Sequence, residues 1–201
     1  MRVFLAGATG VIGIRLMPRL VSAGHEVAGM TRSHDKTAQI AAFGAQPVVC
    51  DVFDAAALLD AVSAFRPDLV IHQLTDLPDN VEQIPDYAER NNRIRTEGTR
   101  NLLSAAATAG AGHLLAQSIA WAPPGSGQAV VEHERLVLDA GGVVVRYGQL
   151  YGPGTYYPDD PPPPPRIHVD DAARRTMALF DAPSGIVALT DGDDGVSNLA
   201  P

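Results

Sequence analysis

The chain is poor in several residue types whose scarcity excludes whole classes of protein. It has one cysteine, Cys50, so an internal disulfide is excluded and a reducing compartment fits. Its formal net charge is −8 without a basic cluster, which argues against a nucleic-acid partner. No apolar run approaches the roughly 18 residues of a membrane span, and nothing before the first predicted strand fits a signal peptide. We expect a soluble, cytoplasmic protein without a membrane partner.

What is present is a regular alternation of strand and helix patterns. The 201 residues are 46% hydrophobic, enough for one well-packed domain. Strands are predicted at 3–6, 26–31, 46–50, 69–72, 113–117, 143–146 and 186–189. Helices are predicted at about 11–23, 36–43, 55–65, 86–109, 130–140 and 170–180, with a loop at 74–85. This alternation predicts an α/β fold with a doubly wound parallel sheet in three layers.

The stretch around Gly7, Gly10 and Gly13 stands between the first strand and the first helix. Gly7 permits a sharp turn, Gly10 permits close approach of a pyrophosphate, and Gly13 permits tight helix–strand packing. The helix start then offers free N–H groups and its dipole to a dianion. The predicted phosphate turn also includes Ala8, Thr9, Val11 and Ile12. A purely structural glycine turn is the alternative.

The end of the second strand bears on the choice of cofactor. A ribose 2′-hydroxyl is usually held by an acid at this place, but the chain has Thr31, Arg32 and Ser33 there. A guanidinium can grip a 2′-phosphate with two hydrogen bonds, and the two hydroxyls can add donors. The pattern therefore favours NADP. NAD stays open, with Arg32 solvated and Asp35 reaching the ribose.

The spacing G-x-x-G-x-x-G with Ala8 and Thr9 inside it resembles the extended and atypical branches of the short-chain dehydrogenase/reductase superfamily. The nearest group is the NAD(P)-dependent epimerase/dehydratase-like proteins, which have Rossmann-like folds. The resemblance implies that Asp51 and Val52 bind adenine, although helix capping is an alternative for Asp51 and Asp54 suits that role better. It also places Gln73, Leu74 and Thr75 under the nicotinamide ribose. We expect His72 to be a core or edge histidine rather than a catalytic one.

Three later segments also resemble this group: 95–103, where Arg95 replaces the leading asparagine, 146–154 and 167–173. Between the last two, residues 156–166 replace a longer substrate-binding portion. The five prolines at 161–165 are interpreted as a stiff spacer rather than a recognition peptide. We therefore predict a dinucleotide-binding domain at 1–150 and a reduced substrate-side segment at 151–201 packed on the same domain.

The catalytic pair of the superfamily is missing from the sequence. Its dehydrogenases use a tyrosine with a lysine four residues later on one helix face, and the lysine lowers the pKa of the phenol. Lys36 is the only lysine here, and it follows the second strand. No tyrosine has a lysine four residues after it.

Two other residues are candidates for the catalytic role of the missing tyrosine–lysine pair. Ser118 ends the fifth strand, where the resemblance puts the hydroxyl that orients a substrate carbonyl; its alternative is a turn serine. His133, on the next helix, could act as a substitute acid at neutral pH, although we expect a solvated surface histidine between Glu132 and Glu134.

The sequence leaves two classes of function open. One is an NADP-dependent oxidoreductase or epimerase/dehydratase-like enzyme acting on a small carbonyl or hydroxy compound with a non-standard active site. The other is a non-catalytic NAD(P)-binding sensor or partner protein. Both bind a small molecule and no metal, and a homodimer stays open.

Overall fold

The computed structural model describes residues 1–121 and 127–192. The strands are β1 Arg2–Ala6, β2 Glu26–Thr31, β3 Gln46–Val49, β4 Leu69–His72, β5 His113–Ile119, β6 Val143–Tyr147, β7 Gln149–Tyr151, β8 Arg166–His168 and β9 Gly185–Leu189. The α-helices are α1 Gly13–Ser22, α2 Thr37–Ala42, α3 Ala55–Phe65, α4 Ala88–Arg93, α5 Thr99–Ala109, α6 Gly127–Asp139 and α7 Val169–Thr176.

Seven parallel strands form the central sheet, in the order β3-β2-β1-β4-β5-β6-β9. The chain winds outward from β1 in one direction and then, from β4 onward, in the other. The prediction of a doubly wound, Rossmann-like α/β fold is therefore confirmed. In such sheets ligands bind where the winding reverses, which here is at the carboxyl ends of β1 and β4.

Side-chain alternation along β1 separates the two faces of the sheet. Val3 and Leu5 point into a core that α1 and α7 cover, whereas Phe4 and Ala6 point into a second core under α3 and α5. Because both faces of β1 are covered, its sequence is a continuous apolar run rather than an alternating one. The sheet is thus the middle of three layers.

The long helix predicted at 86–109 is interrupted. The structure has a 3-10 helix at Val81–Tyr87, inside and beyond the predicted loop, and then α4. A π-helical turn, Ile94–Gly98, joins α4 to α5. Such turns widen a helix by one residue and are frequent at functional sites. The helical period of the apolar residues did not reveal this interruption.

The segment after residue 148 adds elements that the sequence did not predict. β7 pairs with β8 in a small parallel sheet, and the proline run lies between them, with the N–H of Gln149 donating to the Pro165 carbonyl at 2.9 Å. The strand predicted at 186–189 is present as β9, which joins the main sheet beside β6. The domain division at residue 150 stays a prediction, and residues 193–201 lie outside the described part.

Candidate functional site

The turn from β1 into α1 presses the backbone against the end of β4. Gly7 has a φ of 87°, and a Cβ there would lie 2.6 Å from the carbonyl oxygen of Gln73. A Cβ at Gly13 would overlap the carbonyl oxygen of Gly7 and lie 2.9 Å from the backbone of Ala8. No other residue fits at these two positions unless the backbone moves.

Gly10 differs from its two neighbours in the motif because it is exposed. A Cβ there would meet only the Gly7 carbonyl oxygen, at 3.4 Å. The fold therefore has no need for glycine at this position. Gly10 precedes the start of α1, where free N–H groups and the helix dipole favour an anion, so the open space fits a pyrophosphate. Thr9, Val11 and Ile12 complete the same turn.

A cleft of about 250 Å³ containing several arginines lies beside the end of β2. Arg32 Nη2 is 3.4 Å from Asp76 Oδ1, and Arg90 donates to both oxygens of that carboxylate at 3.1 Å. The cleft is lined by Arg32, Asp51, Phe53, Asp76, Arg90 and Arg93. The sequence pattern identified Arg32 but not Asp76 or Arg90, because no motif or spacing connects them with the second strand.

The residues on either side of Arg32 have different exposures. Thr31 is buried, and its hydroxyl oxygen accepts the N–H of Ser33 at 3.3 Å and lies 3.4 Å from the Thr9 hydroxyl. Ser33 is half-buried, whereas Arg32 is exposed. Arg32 is therefore the group of this trio that is most open to a ligand.

Asp51 and Val52 follow β3 at the same edge of the sheet. Asp51 is exposed, and its Oδ1 accepts the N–H of Phe53 at 2.9 Å, whereas Val52 is buried. Asp54 caps α3 by accepting a helical N–H at 3.0 Å. Helix capping, the alternative for Asp51, is therefore wrong, and the adenine contact of Asp51 and Val52 stays a prediction.

The segment that follows β4 forms hydrogen bonds with the neighbouring strands β5 and β6. Gln73 is buried, and its Nε2 donates to the hydroxyl of Tyr147 at 3.2 Å. The side-chain amide of Gln117 donates to the carbonyl of Leu74 at 3.2 Å. Thr75 is exposed. The segment predicted to lie under the nicotinamide ribose is thus held by β5 and β6.

Behind this segment, a buried chain of hydrogen bonds joins two histidines. His72 Nδ1 accepts the N–H of Leu74 at 3.2 Å, so its proton is on Nε2, which lies 3.1 Å from Thr99 Oγ1. His133 Nε2 lies 2.9 Å from the Gln117 carbonyl, which can only accept. His133 Nδ1 therefore receives the Thr99 hydroxyl proton at 2.7 Å.

The environment keeps both imidazoles neutral. Burial lowers the pKa of His72 well below its ordinary value, and a proton on the neighbouring His133 would lower it further. Burial also lowers the pKa of His133, although the Gln117 carbonyl opposes this. The expectation that His133 is solvated is wrong, because the residue is only 1% exposed. His72 is a core histidine, as predicted.

Ser118 and Glu134 are buried and form a charged cluster with the half-buried Arg146. The Ser118 hydroxyl donates to Glu134 Oε1 at 2.5 Å, while Arg146 binds both oxygens of that carboxylate at 2.8 and 2.6 Å. Burial raises the pKa of Glu134, but the hydrogen bonds from Arg146 and Ser118 outweigh it and leave the pKa below its ordinary value. Ser118 must leave Glu134 before it can donate to a substrate oxygen.

The structure brings no tyrosine and lysine together on α6. That helix, Gly127–Asp139, contains neither residue. Lys36 ends a 3-10 turn after β2, and β1, β4 and β5 lie between β2 and the strand that carries Tyr147. Burial raises the pKa of Tyr147 to about 12, so its phenol is a poor proton donor.

Membrane-spanning helices and metal-binding clusters are both absent from residues 1–121 and 127–192. No helix there is long and apolar enough to cross a membrane. No group of three histidine, cysteine or carboxylate side chains in these ranges is arranged to hold a metal ion.

Comparison with known proteins agrees with this geometry. The NAD dependent epimerase/dehydratase family matches residues 3–140. The chain belongs to that family. A 3-diazoavenalumate denitrifying reductase of Streptomyces sp is 37% identical over 237 residues, covering 96% of this chain and 77% of the relative. Together they show an NAD-dependent oxidoreductase or epimerase-like protein.

Solved structures of the same fold are longer than this chain. The UDP-glucose 4-epimerase of Thermus thermophilus, in complex with NAD, superposes with a TM-score of 0.78 at 20% identity, over 96% of this chain and 78% of that enzyme. The UDP-glucose 4-epimerase of Thermotoga maritima, with UDP-glucose, has the same TM-score and coverage at 15% identity. At these identities the likeness establishes the fold of this family member.

We predict that Gly10→Val abolishes dinucleotide binding and leaves the protein folded, because the new side chain fills the pyrophosphate space without touching the core. Titration with NADPH and circular dichroism measure the two properties. Gly112→Val is the matched control, since Gly112 is also exposed but lies before β5, at the other end of the sheet. Unchanged NADPH affinity in a folded Gly10→Val protein would refute the assignment.

We also predict a loss of stability on acidification that His133 causes in part. The native pKa of His133 is below the ordinary 6.5, so the unfolded chain binds more protons and the free energy of unfolding falls below that pH. One such histidine contributes up to about 1.4 kcal/mol per pH unit. Urea unfolding between about pH 7.5 and 5.5 should show that the free energy of unfolding depends less steeply on pH in His133→Gln than in the parent. Parallel curves for parent and His133→Gln would contradict this.

Proposed function

We propose that this protein is an NADP-dependent reductase for a small electrophile that needs no proton from the enzyme at the hydride-transfer step. The observation that carries the proposal is the combination of a complete glycine turn with a helix α6 that has neither tyrosine nor lysine. Hydride transfer to an ordinary ketone creates an alkoxide, and a positioned acid accelerates such steps by roughly 10²–10⁴. A substrate that forms no alkoxide does not need such an acid from the enzyme.

The residues of the turn and the cleft fit the cofactor. Gly10 leaves room for the pyrophosphate, and Asp51 and Val52 are proposed to receive the adenine. A bound reduced nicotinamide would supply the hydride. Arg32 is open to the cleft and shares Asp76 with Arg90, so a 2′-phosphate would find two guanidinium groups there.

The Streptomyces relative suggests the kind of electrophile. It is a denitrifying reductase of 3-diazoavenalumate. When a diazonium carbon gains a hydride, a C–H bond forms and the electron pair of the C–N bond leaves with N2. The charges and electrons balance without a proton. We propose a diazo or similarly activated substrate for this chain as well.

Ser118 is not required for the proposed reduction of a diazonium group but is expected to assist the reduction of carbonyl compounds. Its hydroxyl is engaged by Glu134, so it orients a carbonyl oxygen only after that bond opens. Slow reduction of carbonyl compounds would therefore depend on Ser118, whereas reduction of a diazonium group would not. His133, with both ring nitrogens engaged, would have to break a hydrogen bond to donate a proton.

The cofactor part predicts that Arg32→Ala weakens binding of NADPH more than that of NADH, by about 1.5–3 kcal/mol, as is typical of hydrogen bonds between charged groups. Calorimetric titration with both nucleotides measures the difference. Arg135→Ala is the control, because Arg135 pairs with Asp139 on the exposed side of α6. Equal losses for the two nucleotides would show that Arg32 does not contact the 2′-phosphate.

The chemical part predicts that NADPH reduces 4-carboxybenzenediazonium at least about 10² times faster than 4-acetylbenzoate, which differs only in the reacting group. NADPH consumption is followed above the rate without enzyme, with Gly10→Val as a blank, and benzoate and N2 are the expected products. Ser118→Ala should lower the acetylbenzoate rate at least tenfold with little change in NADPH affinity. If NADPH binds tightly but neither compound is reduced, the protein is a non-catalytic sensor or partner.

A further inference from the structure

Arg95 is a buried arginine in an unusual stretch of backbone. It lies in the π-helical turn between α4 and α5 and is 8% exposed. Arginine is almost never so deeply buried unless it is paired. The turn packs against α6, and the Arg95 carbonyl lies against the ring of His133.

The partners of Arg95 within the described residues are weak. Its Nη1 lies 3.5 Å from the side-chain oxygen of Asn92, the outer limit of a hydrogen bond. Glu134 attracts it electrostatically, yet both oxygens of that carboxylate already bind Arg146, and one also binds Ser118. Most of the guanidinium fork is therefore available to another acceptor.

The buried cluster holds one positive charge in excess. It contains the buried guanidinium of Arg95, the half-buried guanidinium of Arg146 and the buried carboxylate of Glu134. The two neighbouring imidazoles are neutral, as shown above. Burying a charge without a counter-ion is costly, because little water remains to solvate it.

Other arginines of the same helices have carboxylates of their own. Arg93 binds Glu97 at 2.7 Å, and Arg100 pairs with Glu132 of α6. Arg95 is different in this respect: within residues 1–121 and 127–192, the carboxylate that attracts it, Glu134, is already bound by Arg146.

The cluster is connected with the cofactor side of the site through a short chain of contacts. His133, against the Arg95 carbonyl, binds the carbonyl of Gln117, and the Gln117 side chain binds the carbonyl of Leu74. Ser118, next to Gln117 on β5, binds Glu134. The Arg95 backbone thus lies against His133, and its side chain is attracted by Glu134, which binds the candidate catalytic residue Ser118.

We propose that Arg95 binds the carboxylate of an anionic substrate. The planar fork of a guanidinium matches a carboxylate with two parallel hydrogen bonds, and the substrate would complete the charge balance of the cluster. The inference rests on the proposed function, since it defines the substrate class as carboxylates bearing an activated group. The substrate of the Streptomyces relative is itself named as a carboxylate.

The test uses benzoate and its uncharged analogue benzamide as probes, with the full chain and without cofactor. Calorimetry should show benzoate binding at least tenfold more tightly than benzamide to the parent. Arg95→Met should erase this preference, and Arg95→Lys should keep part of it. Arg100→Met, which removes a guanidinium between α5 and α6 outside the cluster, should leave it intact.

Thermal unfolding separates binding from a structural role. Because Arg95→Met removes a buried charge with only weak partners, its unliganded Tm should equal or exceed that of the parent. Benzoate should raise only the Tm of proteins that keep Arg95 or have Lys at this position. Equal affinities of the parent for benzoate and benzamide, or a preference that survives in Arg95→Met, would overturn the proposal. A failure of hydride transfer would refute the proposed function without altering these binding results.

Discussion

The close contact between the first turn and the end of β4 determines where the parts of the site lie. Gly7 and Gly13 have no space for a Cβ, because the Gln73 carbonyl and the turn's own backbone occupy it. This contact fixes where α1 starts and where the chain leaves β4. The same contact therefore positions both the expected pyrophosphate site at Gly10 and the segment beneath the predicted nicotinamide site.

A buried network of polar side chains lies behind the segment that follows β4. Thr99 bridges His72 and His133, so each buried nitrogen has a partner and both rings stay neutral. Glu134, next to His133 on α6, binds Arg146 and attracts Arg95. Fully satisfied buried networks are rigid, whereas a guanidinium with few partners remains free to bind a ligand. A rigid network and a buried, weakly paired guanidinium are thus neighbours at the proposed substrate position.

Local sequence patterns were sufficient to predict the strands of the main sheet but not the irregular segments. The apolar run of β1 and the alternation of strands and helices follow from short-range periodicity, and each of the seven main-sheet strands lies where it was predicted. The π turn at Ile94–Gly98 and the pairing of β7 with β8 escaped prediction. Both depend on contacts between segments that are far apart in the chain. Short-range sequence patterns do not contain information about such contacts.

Residue types and short spacings alone establish the fold class, the glycine turn and the loss of the tyrosine–lysine pair. The folded chain was needed to show which polar groups are buried together. His133 lies between two glutamates in the chain and was expected in water, yet α6 turns it into the interior. Arg32 meets Asp76 across 44 residues, and Arg95 is attracted electrostatically by Glu134 of a different helix. The electrostatics of such contacts follow from the packing of the helices on the sheet.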